Sequence, residues 1–299
     1  MSGDIDAALE QVSKAVDLQL GTSNKAHVTS SYIPYERRAE LYMLLLSTAK
    51  GQAKREAAQG EGFKGHTADP EEFARLAIKD LDCAIDLIKA TLGSRRVKAL
   101  PGSGGSEGRE LRKADELTEN LASLLTTRGF LHHQLGYQKI SYKDFTASAT
   151  IKETAQLWNL IGKCLKDFGE TDDSIAAQKK ALEMEPTLID AEVDIVVALM
   201  EAARAEPALA AANAMVDKLL PKSGELRDEA GTVNTHLKLV IGYRGLLTQS
   251  MGMPEDALSD LFRSMRADPN DPQALYLIGV SHFRSLLVSS KHCFFSRYT

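Results

Sequence analysis

The residues able to do chemistry are few, and their spacing works against it. His132 and His133 are adjacent. On a helix their side chains diverge by about 100°, which is poor geometry for gripping one metal ion together. His132 falls on a position that packs between helices, where a satisfied core histidine is expected. Cys164 lies inside an apolar, helix-period run and reads as a small buried thiol rather than a nucleophile. His292 and Cys293 are neighbours, whereas catalytic Cys and His are usually distant in sequence. The stretch 93–108, GSRRVKALPGSGGSEG, is glycine-rich. No Gly-Lys-Ser/Thr follows it, no strand pattern precedes it, and Glu107 stands where a dinucleotide fingerprint needs its last glycine. It reads as a flexible tether. No Cys-x-x-Cys, His-Glu-x-x-His, Gly-x-Ser-x-Gly or calcium-loop pattern occurs, and the carboxylates are dispersed along helix faces. The expectation is a chain with no catalytic residue, metal site or cofactor, and function is sought on its surfaces.

The bulk properties fit that expectation. A chain of 299 residues, 43% hydrophobic and 26% charged, has the composition of a soluble globular protein. A net charge of −5 offers no general attraction to nucleic acid or to anionic lipid. The longest apolar run, Leu41 to Leu46, falls far short of the ~18 residues of a membrane span. The acidic, amphipathic start MSGDIDAALEQ is unlike a secretory signal. Three scattered cysteines argue against a disulfide framework and for a reducing compartment, cytoplasmic or nuclear.

The elements that must carry any surface are helices. Between Ala155 and Leu188 an apolar helix-period run holds Trp158, Ile161, Gly162 and Cys164 and ends at Gly169; a second run with Ala176, Ala177, Ala181 and Leu182 stops at Pro186. Glycines seven apart recur as Gly129 and Gly136, Gly162 and Gly169, and Gly245 and Gly252, with Gly279 following Gly245 by 34 residues. The first of each pair lets two helices approach closely; the second ends a helix in a left-handed turn. This helical hairpin of about 34 residues resembles the tetratricopeptide repeat, with Trp158, Gly162, Gly169, Ala181 and Pro186 at the family's Trp, Gly, Gly, Ala and Pro. The resemblance implies an all-α fold, a right-handed α-α superhelix of about five hairpins with half-units at both ends.

Residues 1–92 read as an N-terminal half-unit followed by a divergent hairpin. Gly3, Ala8, Val12 and Ala15 suit either the second helix of an incomplete repeat or an ordinary amphipathic helix. Residues 21–34 read as a loop, Tyr35 to Ala58 as a helix, 60–70 as a break, and Glu71 to Leu92 as a helix started by Asp69-Pro70. Residues 93–110 form the linker, 111–288 a contiguous array ending in a half-repeat, and 289–299 an irregular tail. In the repeat after Pro186, Val196 and Ala203 replace the two glycines while Ala208, Ala212 and Pro221 keep the frame; Lys222 to Val233 is an insertion or an extension of the next helix. The apolar face after Gly279 lacks a following helix, so the tail either closes the stack or belongs to a truncated array. Exposed end helices are expected to promote self-association.

In the family resembled, first helices line a concave face that meets an extended peptide or a partner helix. Carried over on the glycine frame, the inward positions are Phe130 and His133, then Asn159, Lys163 and Lys166, then Val193, Val197 and Met200, then Leu246 and Gln249, and finally Tyr276 and Phe283. A basic, polar segment thus adjoins an apolar one, which either receives a partner or is covered by the chain's own later residues. The clamp by which some members hold acidic chaperone tails needs Lys–Asn and Lys–Arg pairs. Thr126 and Phe130, Asn159 and Lys163, Val193 and Val197, Gly242 and Leu246, and Tyr276 and Val280 supply none of the first kind. No Lys–Arg pair stands at the second kind of position either, and the helix with Arg37 and Arg38 has an ambiguous register. The expected role is a non-catalytic adaptor or scaffold that binds protein, with no nucleic acid and no membrane. The alternatives are a regulatory or truncated fragment of a larger enzyme or complex subunit, and a helical-repeat RNA binder, which the acidic balance disfavours.

Overall fold

A computed structural model describes residues 2–21, 31–58, 70–98, 107–220 and 234–267, together with 275, 276, 278 and 279. Among the described residues there are eleven helices and no strand: α1 Ser2–Gly21, α2 Ile33–Ala58, α3 Pro70–Lys98, α4 Glu107–Gln134, α5 Gln138–Ile151, α6 Ala155–Asp167, α7 Thr171–Met184, α8 Ile189–Glu201, α9 Ala205–Leu219, α10 Thr235–Ser250 and α11 Pro254–Ala267. The all-α hairpin architecture is as expected. Consecutive helices pair as α2/α3, α4/α5, α6/α7, α8/α9 and α10/α11. The chain divides into two compact units, Met1–Glu153 and Thr154–Thr299.

In the second unit particular residues set several of the helix ends. Thr154 caps α6 by accepting a 3.2 Å hydrogen bond from the Leu157 N–H, and Asn234 caps α10 with a 3.0 Å bond from Leu237. Because Asn234 is that cap, α10 begins just after it; Lys222 to Val233 lie outside the described residues. At the other end of α6, Gly169 has φ +79°, its N–H reaches the Lys166 carbonyl and Glu170 N–H reaches that of Leu165. The same pair of bonds closes α8, but there the left-handed residue is Ala203, at φ +56°.

The close-approach glycines behave as the frame requires. A Cβ on Gly162 would stand 2.6 Å from Gln178 Nε2, one on Gly129 2.8 Å from the Phe145 ring, and one on Gly245 3.2 Å from Leu261. Each first helix therefore lies directly against the second helix of its own hairpin. Around these contacts the apolar stripes bury Val196, Ala208, Ala212, Val216, Leu237 and Ile241 in one core, with Ala155, Ala181 and Ala191 in another that includes half-buried Trp158. Cys164 is buried, as its setting in α6 predicts.

In the first unit, one core joins α1, α2, α3 and α4 through Val16, Ala39, Ala77, Leu81, Ala84, Ile88 and Leu121. Among the described side chains of α1, Val16 is the buried one, whereas Ala15, expected inward, is exposed. The apolar stripe runs through Val12 and Val16, one turn apart, so the inward face is rotated from the one expected. Helix α3 continues past Leu92 to Lys98, and α4 already runs from Glu107, so the expected linker is shorter than its composition suggests. Gly93 sits within α3 with nothing within 4 Å of a Cβ there, and the flanking helix formers override it. Residues 99–106, the breaks at 22–30 and 59–69, and the tail 289–299 lie outside the described residues.

A buried ion pair fixes the register of the divergent hairpin. Arg38 on α2 donates two hydrogen bonds, 2.7 and 2.6 Å, to Asp80 on α3. Arg244 makes the same fork with Asp260, and Arg128 with Asp144, in α10/α11 and α4/α5. Counting Ala155 as the first residue of a frame, each of these arginines is the seventh. Ala39 therefore occupies the place of Gly162, and Tyr35 that of Trp158. The partners are 42 residues apart in α2/α3 and 16 apart in the other two, so the divergent hairpin is an ordinary one with a long connection.

Candidate functional site

The first helices α6, α8 and α10 stack in order within the second unit, with α8 against both of the others. Residues five, nine and twelve of each frame recur on one side at helical spacing. On α6 these are Asn159, Lys163 and Lys166. Asn159 is buried, its backbone carbonyl accepts from Gln178 Nε2 at 3.2 Å, and its side-chain oxygen has no hydrogen-bond partner among the described residues. Lys163 Nζ sits 3.3 Å from Asp194 of α8, and Lys166 Nζ 3.3 Å from Glu201. Burial raises the Asp194 carboxyl above its ordinary value, and the attraction of Lys163 only partly offsets this. The segment that reads as basic in sequence is thus neutralised by the acids of the next first helix.

On α8, Val193 is buried in the core shared with α9 and α10, while Val197 and Met200 are half-buried against it. On α10, Leu246 is half-buried beside Leu261, and Gln249 is buried. Sequence reasoning missed Leu239, which is 48% exposed, and Gly242, around which a Cβ would meet nothing within 4 Å. With Leu246 they form one face at spacings of three and four, a signal available in the sequence but hidden because Leu239 is the second residue of its frame, outside the fifth, ninth and twelfth.

Phe130 and His133 belong to the other unit, on α4. Phe130 is 46% exposed and His133 half-buried. Tyr276 is exposed, and Phe283 lies outside the described residues, as do His292 and Cys293. His132 is the satisfied core histidine expected of its position: it is buried, with Nδ1 3.1 Å from Asp144. With the register of α2 fixed, its fifth and ninth residues are Glu36 and Glu40, and its second and sixth are Ile33 and Arg37. The acidic-tail clamp has no counterpart there either. No group of three metal-ligating side chains occurs among the described residues, and no described helix is long and apolar enough to cross a membrane.

Paired helices with a close-approach glycine, a left-handed turn and stacked first helices define an α-hairpin repeat protein. The tetratricopeptide repeat family model matches residues 155–188. Those residues, α6 and α7 with their turns, form a tetratricopeptide repeat. Among solved structures it is similar to YrrB, described as a TPR protein with an unusual peptide-binding site, at 16% identity over 70% of this chain and 90% of that one, with a TM-score of 0.44. It is also similar to MamA from Desulfovibrio magneticus RS-1, at 14% identity over 59% and 92% of the two chains and a TM-score of 0.46. The first TPR of Spaghetti (RPAP3), bound to the HSP90 peptide SRMEEVD, aligns at 15% identity over 46% and 94%, with a TM-score of 0.36. These likenesses concern the helical-repeat fold. No curated protein matches the chain in sequence.

Proposed function

We propose that the protein is a non-catalytic adaptor whose second unit holds an extended peptide or a partner helix against α6, α8 and α10. The observation that supports this reading is the contrast along the stacked first helices. The lysines of α6 are already paired with Asp194 and Glu201, whereas Val197, Met200, Leu239 and Leu246 leave apolar surface beside them. An apolar partner segment would bury that surface without having to displace an ion pair. The unpartnered Asn159 oxygen would accept one hydrogen bond from the partner.

The test is affinity capture with the intact chain beside a Val197→Glu, Leu239→Glu double variant, each washed at low and at high salt. A captured polypeptide that survives high salt and is lost with the double variant, while the variant's thermal unfolding stays close to that of the parent, fits the proposal. Capture that collapses as salt rises would point to phosphate or charge recognition instead.

A further inference from the structure

We infer that the cleft between α8 and α9 is a second binding site, one that receives an indole ring presented by a partner polypeptide. The cleft has a volume of about 250 Å³ and is lined by Glu192, Ile195, Ala211, Ala214, Met215 and Lys218. It opens on the protein surface away from the concave row: Glu192 and Ile195 lie about 100° or more around α8 from Val193.

One substitution relative to the other hairpins opens it, in a setting that, like α6/α7, lacks the Arg–Asp fork. The fourth residue of the frame is Leu125 in α4, Trp158 in α6 and Ile241 in α10, each a large apolar side chain packed or half-packed between helices. In α8 that residue is Glu192. At the seventh residue of α8 and its partner place on α9, where α4/α5 and α10/α11 carry the Arg–Asp fork, stand Ile195 and Ala211. One large ring is therefore missing from a hairpin whose neighbour has Trp158 in the equivalent place. A space of this size suits a single aromatic side chain better than a larger ligand.

The polar groups specify the kind of ring. Glu192 Oε1 accepts from Lys218 Nζ at 2.8 Å, so the carboxylate already has its counter-charge. Glu192 Oε2 is buried and has no hydrogen-bond partner among the described residues. What the site lacks is a neutral donor set in an apolar frame, not a second cation. An indole N–H supplies that donor, and its ring fills the space between Ile195 and Ala211.

The experiment is an NMR titration of the full-length, isotopically labelled chain with indole, 1-methylindole, benzylamine and the capped peptide acetyl-Gly-Trp-Gly-amide. Indole and the peptide should both shift the Met215, Ala211 and Ala214 methyl signals saturably, and 1-methylindole should bind about tenfold more weakly or worse. Ala211→Leu, folded by circular dichroism, should abolish the shifts. Glu192→Ala, which removes the acceptor and leaves the space open, should erase the preference of indole over 1-methylindole, which keeps the test decisive should Ala211→Leu fail to fold. Equal binding of the two indoles, tighter binding of benzylamine, or undiminished binding to Ala211→Leu would overturn the proposal. Binding of indole without binding of the peptide would overturn the polypeptide source. None of these outcomes depends on the concave face, so this site stands or falls separately from the adaptor reading.

Discussion

Gln178 lies across Gly162. Its amide nitrogen would stand 2.6 Å from a Cβ at that position, and it donates a 3.2 Å hydrogen bond to the Asn159 carbonyl one turn earlier on α6. The glycine and the glutamine thus set the spacing of α6 and α7 as a unit. Gln178 is completely buried, so it has little room to move aside.

Gly162→Ala should therefore destabilise the protein by about 1–3 kcal/mol, the cost of overpacking exceeding the gain in helix propensity. Gly242→Ala, where a Cβ meets nothing within 4 Å, should instead stabilise it by up to about 1 kcal/mol. Denaturant melts of the two variants should move in opposite directions; a common direction would contradict the packing at Gly162.

Ala203 holds φ +56° at the end of α8, where Gly136, Gly169 and Gly252 hold the same kind of turn. Ala203→Gly should relieve the Cβ clash and raise stability by about 1 kcal/mol. Thermal unfolding checks this directly, and an unchanged or lowered midpoint would show that the turn carries no strain.

Trp158 is half-buried among Ala181, Leu182 and Leu188, with Lys180 Nζ 3.9 Å from its ring centre. Trp158→Ala should cost about 3 kcal/mol, and Lys180→Met a few tenths to about 1 kcal/mol through the lost cation–π contact. Equilibrium unfolding should rank the two in that order.

Burial pushes the Asp144 carboxyl up, but hydrogen bonds from His132 and Arg128 outweigh it and hold the group below its ordinary value. A depressed carboxyl stabilises the folded state fully above the unfolded value, about 3.9, and loses that contribution as pH falls through the folded one. The parent should thus lose stability more steeply below about pH 4 than Asp144→Asn, whose stability at neutral pH should be lower. Parallel acid titrations of the two would contradict this account.

The hairpins were legible because their signals are local. A close-approach glycine and a turn glycine seven residues later can be read from one window, and the contacts at Gly129, Gly162 and Gly245 follow that reading. The register of α2/α3 was not legible, because its key is the meeting of Arg38 with Asp80 across 42 residues. The pairing of Lys163 with Asp194 was hidden for the same reason: the charge of one frame is answered by the next. Composition misled at Gly93, where a glycine next to serine and arginine reads as a linker yet continues a helix.

The Arg–Asp forks bear on how the chain avoids mispairing its own look-alike helices. Three hairpins bury a guanidinium against a carboxylate, and the two between them in the second unit, α6/α7 and α8/α9, put Ile161 with Ala177 and Ile195 with Ala211 in those places. Were α10 to dock during folding on α7 or α9 instead of α11, Arg244 would be buried facing an alanine, an error costing about 3–5 kcal/mol. Arrays of similar units are prone to this kind of misassembly. The forks act as address labels that separate these three hairpins from the two with Ile and Ala, and a shuffled array built from them would have to keep each arginine opposite an aspartate.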